Sequence, residues 1–518
     1  MVFPSRGCIT CRKRRIKCDS VHPTCGRCGK ASRTCVWDQN EELGLVFKSE
    51  NAFAQGKPRR PWKSKDQAAT AEAAESSSGI NSVSPTPSSA PAEDEPFHFW
   101  VKNFIFRDDE IPEFAREYFH YLVAYRNKTL PDSSLHLAIS ALSHAVFGRA
   151  IDSDKALEDA ELLFSRSIAQ MQSGFQEMTQ ENIHELLITA MLMAFYENIM
   201  YGDARHYTRK ESPSSSDADI IGSQFWENVC HHRGAAGLLK LRQERGWEPD
   251  LPLERAARRQ LIRTCILRGI PAAPWLQDGA QFGERGPVLD LDSIMVRVAA
   301  LRSKSLHMFL PKSARFSSQP PPTDIASEAR DIDIALESWS STIPDGWKFS
   351  TKSDSRTDAT FDGLAHIYAS HGHAAIWNRY RAIHIIINSL RKRALCIASR
   401  CSSEMISTEA EQEACQKRID SLATDLCRGI PFFVDSRPTA NDLPYTKANA
   451  VEDNTTQVYY EILPKLAALL AWPLALTVST EAVPEPQREW LKVKMKSVAN
   501  SLGDSILETV ADQGEFKF

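Results

Sequence analysis

Apolar residues recur every three or four positions over most of the chain from about residue 97 onward, and this spacing predicts α-helices. In one stretch Leu157, Ala160, Phe164, Ile168 and Met171 form a single apolar stripe. Similar patterns cover residues 183–195, 225–241, 367–390, 405–429, 456–472 and 485–510. Alternating patterns typical of strands are scarce, so the sequence predicts a mostly α protein with a large all-α domain of antiparallel helices over residues 97–518.

The helical pattern is absent between residues 41 and 96. Residues 57–65 are basic, whereas residues 66–95 are rich in Ala, Ser, Pro and Glu. Such a composition buries too little apolar surface to offset the entropy of ordering the chain, so we predict that residues 41–96 are a linker with a disordered second part. No heptad seam follows Cys35, so the sequence indicates no coiled-coil dimer at this point.

Residues 1–40 differ again, because six cysteines lie there in a repeated C-x2-C-x6-C pattern: Cys8, Cys11, Cys18, Cys25, Cys28 and Cys35. Structural zinc takes four tetrahedral ligands, and six thiolates supply eight bonds only if two of them bridge two ions. Internal symmetry selects Cys8 and Cys25 as the bridges.

In this scheme Cys11 and Cys18 complete the first of two Zn²⁺ ions, and Cys28 and Cys35 complete the second. The alternative interpretation is a disulfide framework of a small secreted domain. The start of the chain opposes it, since no apolar signal-peptide segment follows Met1 and residues 12–17 are strongly basic.

Charge is distributed unevenly along the chain. Residues 1–37 contain nine Lys or Arg and a single acid, Asp19, whereas the whole chain has 62 basic and 66 acidic residues and a formal charge of −4. The head is therefore formally +8, or +6 with two zinc ions and six thiolates, on a body of −12. A local basic patch of this kind is typical of nucleic-acid binding, although a solvated face or a nuclear import signal would share it.

The cysteine spacing, the basic run between the second and third cysteines, and Pro23 before the fourth together resemble the fungal Zn2Cys6, or zinc binuclear cluster, transcription factors. This resemblance implies a nuclear protein that regulates RNA polymerase II transcription by binding double-stranded DNA. A basic pair in the inter-cysteine helix, here Arg14 and Arg15, would contact a CGG-type triplet. The expected DNA-binding residues are Arg12, Lys13, Arg14, Arg15 and Lys17.

The helical part resembles the fungal-specific transcription factor domain, through Trp226, His232, the Gly-Ala-Ala-Gly-Leu-Leu stretch at 234–239 and the Trp-Pro-Leu-Ala stretch at 472–475. This resemblance implies a regulatory domain that could supply homodimer contacts, a response to a signal, or contacts with the transcription machinery. Target genes in a metabolic pathway would fit, and an apolar cavity in the bundle would favour a ligand-gated sensor.

Other candidate sites are weaker. We find no nucleotide-binding, nucleophile-elbow or zinc-protease motif, so we expect no enzyme. We expect the histidines at 366, 371, 373 and 384 to be structural, and the cysteines outside the head to be small buried side chains. We expect a solvated acidic turn at Glu284, Asp290 and Asp292. The aromatic and acidic residues at 97–110 read as the edge of the helical domain rather than as an activation segment.

The most apolar stretch is residues 462–478. It is interrupted by Pro464, Lys465 and Pro473 and is too short for a membrane span, so we predict a buried helix and no membrane association.

Overall fold

The structure is a computed structural model that describes residues 10–11, 18–19, 24–31, 33–35, 94–201, 217–309, 320–356, 359–401, 408–434 and 461–513. At residues 94, 201, 217–230, 307, 309 and 401 only the backbone is described. The chain divides into two compact units, Met1–Ala52 and Phe53–Phe518. Most of the predicted linker lies outside the described residues.

The first unit contains helix α1 (Gly26–Lys30), and Thr10 and Cys11 are also helical. The first half of the second unit is built from the following helices: α2 (Asp94–Phe104), α3 (Leu122–Arg126), α4 (Ser134–Ile151), α5 (Asp154–Gln176), α6 (Ile183–Tyr201), α7 (Asp217–Arg245), α8 (Leu251–Arg268) and α9 (Pro274–Gln277). Short 3-10 turns lie at Glu113–Ala115, Tyr118–Tyr121 and Gly279–Phe282.

The second half begins with α10 (Gly286–Ser305) and α11 (Pro322–Thr342), and a two-stranded antiparallel hairpin follows, with β1 (Ser350–Ser353) paired to β2 (Leu364–Ile367). The remaining helices are α12 (His371–Cys401), α13 (Glu409–Gly429), α14 (Pro464–Val478), α15 (Glu485–Leu502) and α16 (Ser505–Gln513). Further 3-10 turns lie at Leu306–Phe309, Asp345–Trp347 and Ile430–Phe433.

Helix α12 is the centre of the second unit. Residues 374–388 are buried on every face, and α11, α13 and α14 pack around them. A helix buried all round normally has an apolar surface. This one also carries Asn378, Arg379, Arg381, His384 and Asn388, so its position depends on polar partners supplied by neighbouring elements.

The prediction of a mostly α protein is confirmed, and most predicted helices lie where the periodicity places them. The first described helix of the second unit is α2, which begins at Asp94. The structure differs from the predicted helices at two points. Ile367, the predicted start of a helix, is the last residue of strand β2, and the helix begins at His371. The pattern at 485–510 is two helices, because Gly503 adopts a left-handed conformation (φ 66°) that ends α15.

The apolar stretch near the C-terminus is confirmed as a buried helix, α14, with Pro464 in its first turn, where no backbone N–H is required. Across the described part of the chain, no helix combines the length and apolar character needed to cross a membrane. The segment at 97–110 is confirmed as part of the domain, since Trp100 and Phe104 are buried in the core.

The prediction of a solvated acidic turn at 284–292 is wrong for two of its three carboxylates. Asp290 is exposed on α10, but Glu284 and Asp292 are each only 3% exposed. Arg259 donates two hydrogen bonds of 2.7 and 2.6 Å to Glu284, and Arg258 donates one of 3.2 Å to Asp292. The arginines come from α8, so Asp292 joins α10 to this helix inside the core, and Glu284 joins the segment before α10 to it.

Candidate metal centre

Cys25 lies at the start of helix α1, where its backbone is extended and its Sγ caps the helix. The amide of Cys28 donates a hydrogen bond of 3.3 Å to Cys25 Sγ. The two-residue spacing of the cysteines therefore creates this cap directly, because an N-cap side chain reaches the amide three residues further on. The amide of Cys25 in turn donates to Cys35 Sγ at 3.4 Å.

The sulfur atoms lie at distances that suit zinc. Cys11 Sγ is 3.6 Å from Cys25 Sγ and 3.9 Å from Cys28 Sγ. Two sulfurs on one tetrahedral zinc, each about 2.3 Å from the metal, are separated by roughly 3.8 Å. The donor set therefore fits zinc. The predicted ligand scheme gives Cys11 to the first ion and Cys28 to the second, and it does not require their sulfur atoms to lie this close. Their distance would also suit two ligands of the same ion.

Cys25 connects the two halves of the motif. Within the described residues, two groups of side chains could share an ion; one is Cys11, Cys25 and Cys28, and the other is Cys18, Asp19 and Cys25. Cys25 belongs to both, which is the position that a bridging ligand requires. The other predicted bridge, Cys8, lies outside the described residues, and its role stays a prediction.

The pKa of Cys25 is lowered from its ordinary value. Desolvation by itself would raise this pKa, but hydrogen bonds from the Cys28 amide and from the thiols of Cys28, Cys11 and Cys18 outweigh it. Zinc binds the thiolate form, so the surroundings of Cys25 favour the ligand state.

Among the described residues of this unit, the interior consists of cysteine. The buried side chains there are Cys11, Cys25 and Cys28, with Cys18 and Cys35 packed against them. A unit of this size depends on bound metal for its stability. The cysteines would hold two Zn²⁺ ions, which supply structural cross-links rather than reaction chemistry.

Two contacts in this unit are not evident from the cysteine pattern. Both carboxylate oxygens of Asp19 accept the amide of Gly26, at 2.9 and 3.2 Å. The hydroxyl of Thr10 donates to the carbonyl of Thr34 at 2.9 Å. Each contact joins the first half-motif to the second. The only sequence signal is position, since Asp19 directly follows one cysteine and Gly26 directly follows another.

The five residues expected to bind DNA lie outside the described residues, and their roles stay predictions: Arg12, Lys13, Arg14, Arg15 and Lys17. Among the described residues of the unit, Arg27, Lys30 and Arg33 are exposed. The described part of the module therefore presents cations to solvent around a buried sulfur cluster.

The candidate sites in the helical unit are structural. His384 Nε2 lies 2.6 Å from Asp333 Oδ1, with His384 fully buried, so the pair joins α12 to α11. Among the other cysteines whose side chains the structure describes, Cys265, Cys415 and Cys427 are buried, as expected, whereas Cys396 is only half-buried. Groups of potential metal ligands in the described residues all include Cys25, so the described histidines form no second centre.

One arrangement in the helical unit has the order of a nucleophile, a base and an acid, which sequence reasoning did not find. Thr351 Oγ1 lies 3.0 Å from His366 Nδ1, and His366 Nε2 lies 3.3 Å from Asp425 Oδ1. Thr351 and His366 are directly opposed in the hairpin, and Asp425 is on α13. The arrangement ties the hairpin to a helix, and Thr351 projects from an exposed strand.

A small cleft lies between the segment after α2 and helix α14, lined by Phe106, Phe119, His120, Lys465 and Leu469 among others. Its volume is about 30 Å³, which is room for a water molecule or two. Sites for drug-sized ligands have volumes of roughly 300–1,000 Å³. This cleft therefore gives no support to the hypothesis of a ligand-gated sensor.

Comparison with known proteins assigns the first unit. Residues 6–42 match the family model of the fungal Zn(2)-Cys(6) binuclear cluster domain. Over 33 residues the chain is 61% identical to an uncharacterized transcriptional regulatory protein of Schizosaccharomyces pombe, and this match covers 6% of each chain.

Two further relatives are also regulators by name. The transcription activator AMTR1 of Alternaria alternata is 42% identical over 59 residues, which is 11% of this chain and 7% of that protein. Sterol uptake control protein 2 of Candida albicans is 34% identical over 86 residues, which is 17% of this chain and 12% of that protein. No solved structure gives a significant match.

These matches cover a small share of the relatives' lengths. The two-zinc cofactor predicted from sequence is confirmed by the family match, and the assignment of individual cysteines to each ion stays a prediction. Residues 6–42 are a fungal Zn(2)-Cys(6) binuclear cluster domain, and the relatives that the chain matches are named as a transcriptional regulatory protein and a transcription activator of fungi.

Proposed function

We propose that this protein is a nuclear, sequence-specific DNA-binding regulator of RNA polymerase II transcription. The observation that carries the proposal is the buried sulfur cluster around Cys25, within a segment that matches a zinc cluster domain. Relatives that match part of this chain are named as a transcriptional regulatory protein and a transcription activator, which supports the same function. Genes of a metabolic pathway or gene cluster are the proposed targets.

In this proposal the zinc ions fix the segment between Cys11 and Cys18, which carries the basic run. Arg14 and Arg15 enter the major groove, where the guanidinium fork can donate to both O6 and N7 of guanine. A CGG-type triplet offers these acceptors. Arg12, Lys13 and Lys17 contact phosphates, which fix the orientation of the protein without reading sequence.

The exposed cations of the second half-motif add to the phosphate contacts. Arg27 and Lys30 lie in the last turn of α1, and Arg33 follows it, all facing solvent. Each phosphate that the protein neutralises releases condensed counterions. The logarithm of the binding constant therefore falls with the logarithm of the salt concentration, with a slope of about 0.9 per phosphate contact. The head therefore binds DNA of any sequence weakly, and the base contacts add specificity.

We propose that the helical unit provides the additional specificity that one small DNA-binding module lacks. A single triplet occurs too often in a genome to define a target, so useful specificity requires a second half-site or partner. A homodimer formed through the helical unit would supply the second head. The same unit would contact the transcription machinery.

The first experiment is selection of bound sites from random DNA by the full-length protein loaded with zinc. We expect enrichment of CGG-type triplets, and paired triplets at a fixed spacing would support the homodimer. Recovery of sequences with no shared motif would contradict sequence-specific binding.

Variants then separate base contacts from phosphate contacts. Arg15→Ala should weaken binding to the selected site by about 1–3 kcal/mol more than binding to random DNA, since a bidentate base contact is lost. Arg15→Lys keeps the charge and should retain most nonspecific affinity while losing specificity. Arg27→Ala removes the same charge from the exposed end of α1. It should weaken binding to the selected site and binding to random DNA equally. If Arg15→Ala behaves like Arg27→Ala, Arg15 contacts phosphate only.

A further inference from the structure

Asp19 links the parts of the zinc module that hold different ions. It directly follows Cys18, which the ligand scheme assigns to the first ion. Both of its carboxylate oxygens accept the amide of Gly26, the first residue of α1. That helix carries Cys28 and is capped by Cys25, so a single carboxylate connects a ligand of the first ion to the helix of the second.

Gly26 provides the space that this contact needs. A Cβ atom at Gly26 would lie 2.6 Å from Asp19 Oδ2, which is closer than such atoms approach one another. The backbone of Gly26 is not in the left-handed region, so its conformation does not itself require glycine. Gly29, in the same helix, differs, because a Cβ there would meet only Thr24 Cγ2 at an ordinary 3.9 Å.

The sulfur atoms beside Asp19 oppose its negative charge, although the head as a whole is basic. The Asp19 carboxylate lies within 4.8 Å of the sulfur atoms of Cys18 and Cys25. Thiolates that bind two zinc ions already carry excess negative charge, so a further anion beside them is repelled. The bidentate contact with the Gly26 amide offsets this cost.

We infer that Asp19 is a positioning residue that couples the two zinc sites, with Gly26 as its required partner. By holding the start of α1 against the chain that follows Cys18, Asp19 places Cys25 where its sulfur can bridge both ions. Filling one site then favours filling the other, because the same carboxylate orders both. The inference rests on the zinc cluster of the proposed function and is independent of the DNA target.

Zinc titration of the full-length protein, followed by native mass spectrometry, tests this coupling. The wild type should pass from the metal-free to the two-zinc form with little one-zinc species. Asp19→Asn keeps the size of the side chain but loses its charge and one acceptor oxygen. It should accumulate the one-zinc form and bind the second ion about 10–100-fold more weakly, as is typical when a group that orients ligands is removed.

Gly26→Ala provides an independent variant, because it displaces the carboxylate while leaving Asp19 in place. Alanine favours helix over glycine, so local propensity alone would strengthen α1. Weaker binding of the second ion in this variant therefore reports the lost contact. Gly29→Ala is the matched control, with the same change in the same helix, and should bind two zinc ions like the wild type.

Each alternative outcome has a clear meaning. If Asp19→Asn and Gly26→Ala both bind two ions as tightly as the wild type, the coupling is refuted. If Gly29→Ala loses the second ion as readily as Gly26→Ala, the effect belongs to the helix and not to the contact, and the inference is again refuted. A wild-type protein that binds fewer than two ions would instead refute the zinc cluster itself.

Discussion

The two units of this chain are stabilised by different means. The zinc module buries cysteine sulfur, whereas the helical unit buries a continuous apolar core that extends from Trp100 to Ala511. A segment of about 40 residues cannot bury enough apolar surface to fold alone, so metal coordination supplies the stability instead. In the described part of the helical unit, burial of apolar side chains supplies the free energy.

The units also differ in how they treat charge. The module exposes Arg27, Lys30 and Arg33 to solvent, as a surface for DNA requires. The helical unit buries arginines beside hydrogen-bond acceptors; Arg258, for example, is fully buried and donates to Asp292 and to the carbonyl of Leu276. Exposed cations remain available to a ligand, while buried and paired cations fix the packing of helices.

Removal of zinc should have the largest effect, and it should affect the two units differently. Treatment with a strong chelator should unfold the module and abolish specific DNA binding, because structural zinc contributes roughly 10–16 kcal/mol in such modules. The helical far-UV circular dichroism and its urea midpoint should hardly change. Loss of the helical signal together with zinc would contradict the separation of the two units.

A second prediction tests the bridge within the module. Cys25→Ala should release both zinc ions, since Cys25 lies between both groups of ligands. Cys28→Ala should leave one ion partly bound, because the ligand scheme gives Cys28 to a single ion. Native mass spectrometry measures the stoichiometry, and Cys427→Ala, which removes a buried thiol from the helical unit, is the control. Equal zinc loss from Cys25→Ala and Cys28→Ala would contradict bridging by Cys25.

A third prediction concerns a carboxylate shared by two arginines of the helical unit. Glu117 accepts two hydrogen bonds from Arg263, at 2.8 and 2.6 Å, and one from Arg379. Glu117→Gln should lower the free energy of unfolding by about 3–5 kcal/mol, because two buried cations lose their partner. Urea unfolding followed by circular dichroism measures this. Glu113→Gln, at an exposed partner of Arg255, should cost only about 0–1 kcal/mol.

The difference in stability between the wild type and Glu117→Gln should depend on pH. Burial alone would raise the pKa of Glu117, but Arg263 and Arg379 lower it to about 2. A lowered pKa in the folded state gives stability that is present above the ordinary value near 4.5 and is lost as the pH falls towards 2. As the pH falls from about 4.5 to about 2, the free energy of unfolding of the wild type should therefore approach that of Glu117→Gln. A difference that stays constant down to pH 2 would show that the charge of Glu117 is not involved.

The smallest expected effect is local to one helix of the second unit. Ser133 caps α4 by accepting the amide of His136 at 3.2 Å. Ser133→Ala should cost about 1 kcal/mol of stability, and zinc content should be unchanged. Ser341→Ala, at an exposed position near the end of α11, should stay within about 0.5 kcal/mol of the wild type. Equal destabilisation by both substitutions would argue against the cap.

Sequence reasoning was most successful where the signal is local. Helices α5, α6 and α13 follow from apolar residues spaced three and four apart, because that spacing is set by the geometry of a helix itself. The hairpin was missed because β1 reads Ser-Thr-Lys-Ser, is exposed at every position and has no alternation to detect. The break between α15 and α16 depends on one glycine conformation, which periodicity does not report.

Contacts between distant residues could not be predicted in this way. Glu117 and Arg379 are 262 positions apart, and nothing near either residue indicates the other. Glu284 and Asp292 were misplaced in solvent for the same reason, since their arginine partners lie on α8. In the module, the contact between Asp19 and Gly26 spans only seven positions, yet it too depends on how the chain turns between the ligands.

For this protein, the sequence alone determined the zinc module and the helical character of the rest. Metal valence fixes how six thiolates can be shared, and helical periodicity fixes which residues face inward, so both can be counted along the chain. Only the tertiary structure decided which buried charges are paired, that Cys25 touches ligands of both halves, and that Asp19 holds α1 through the space left by Gly26. Those outcomes depend on distances across the fold, which no residue specifies by itself.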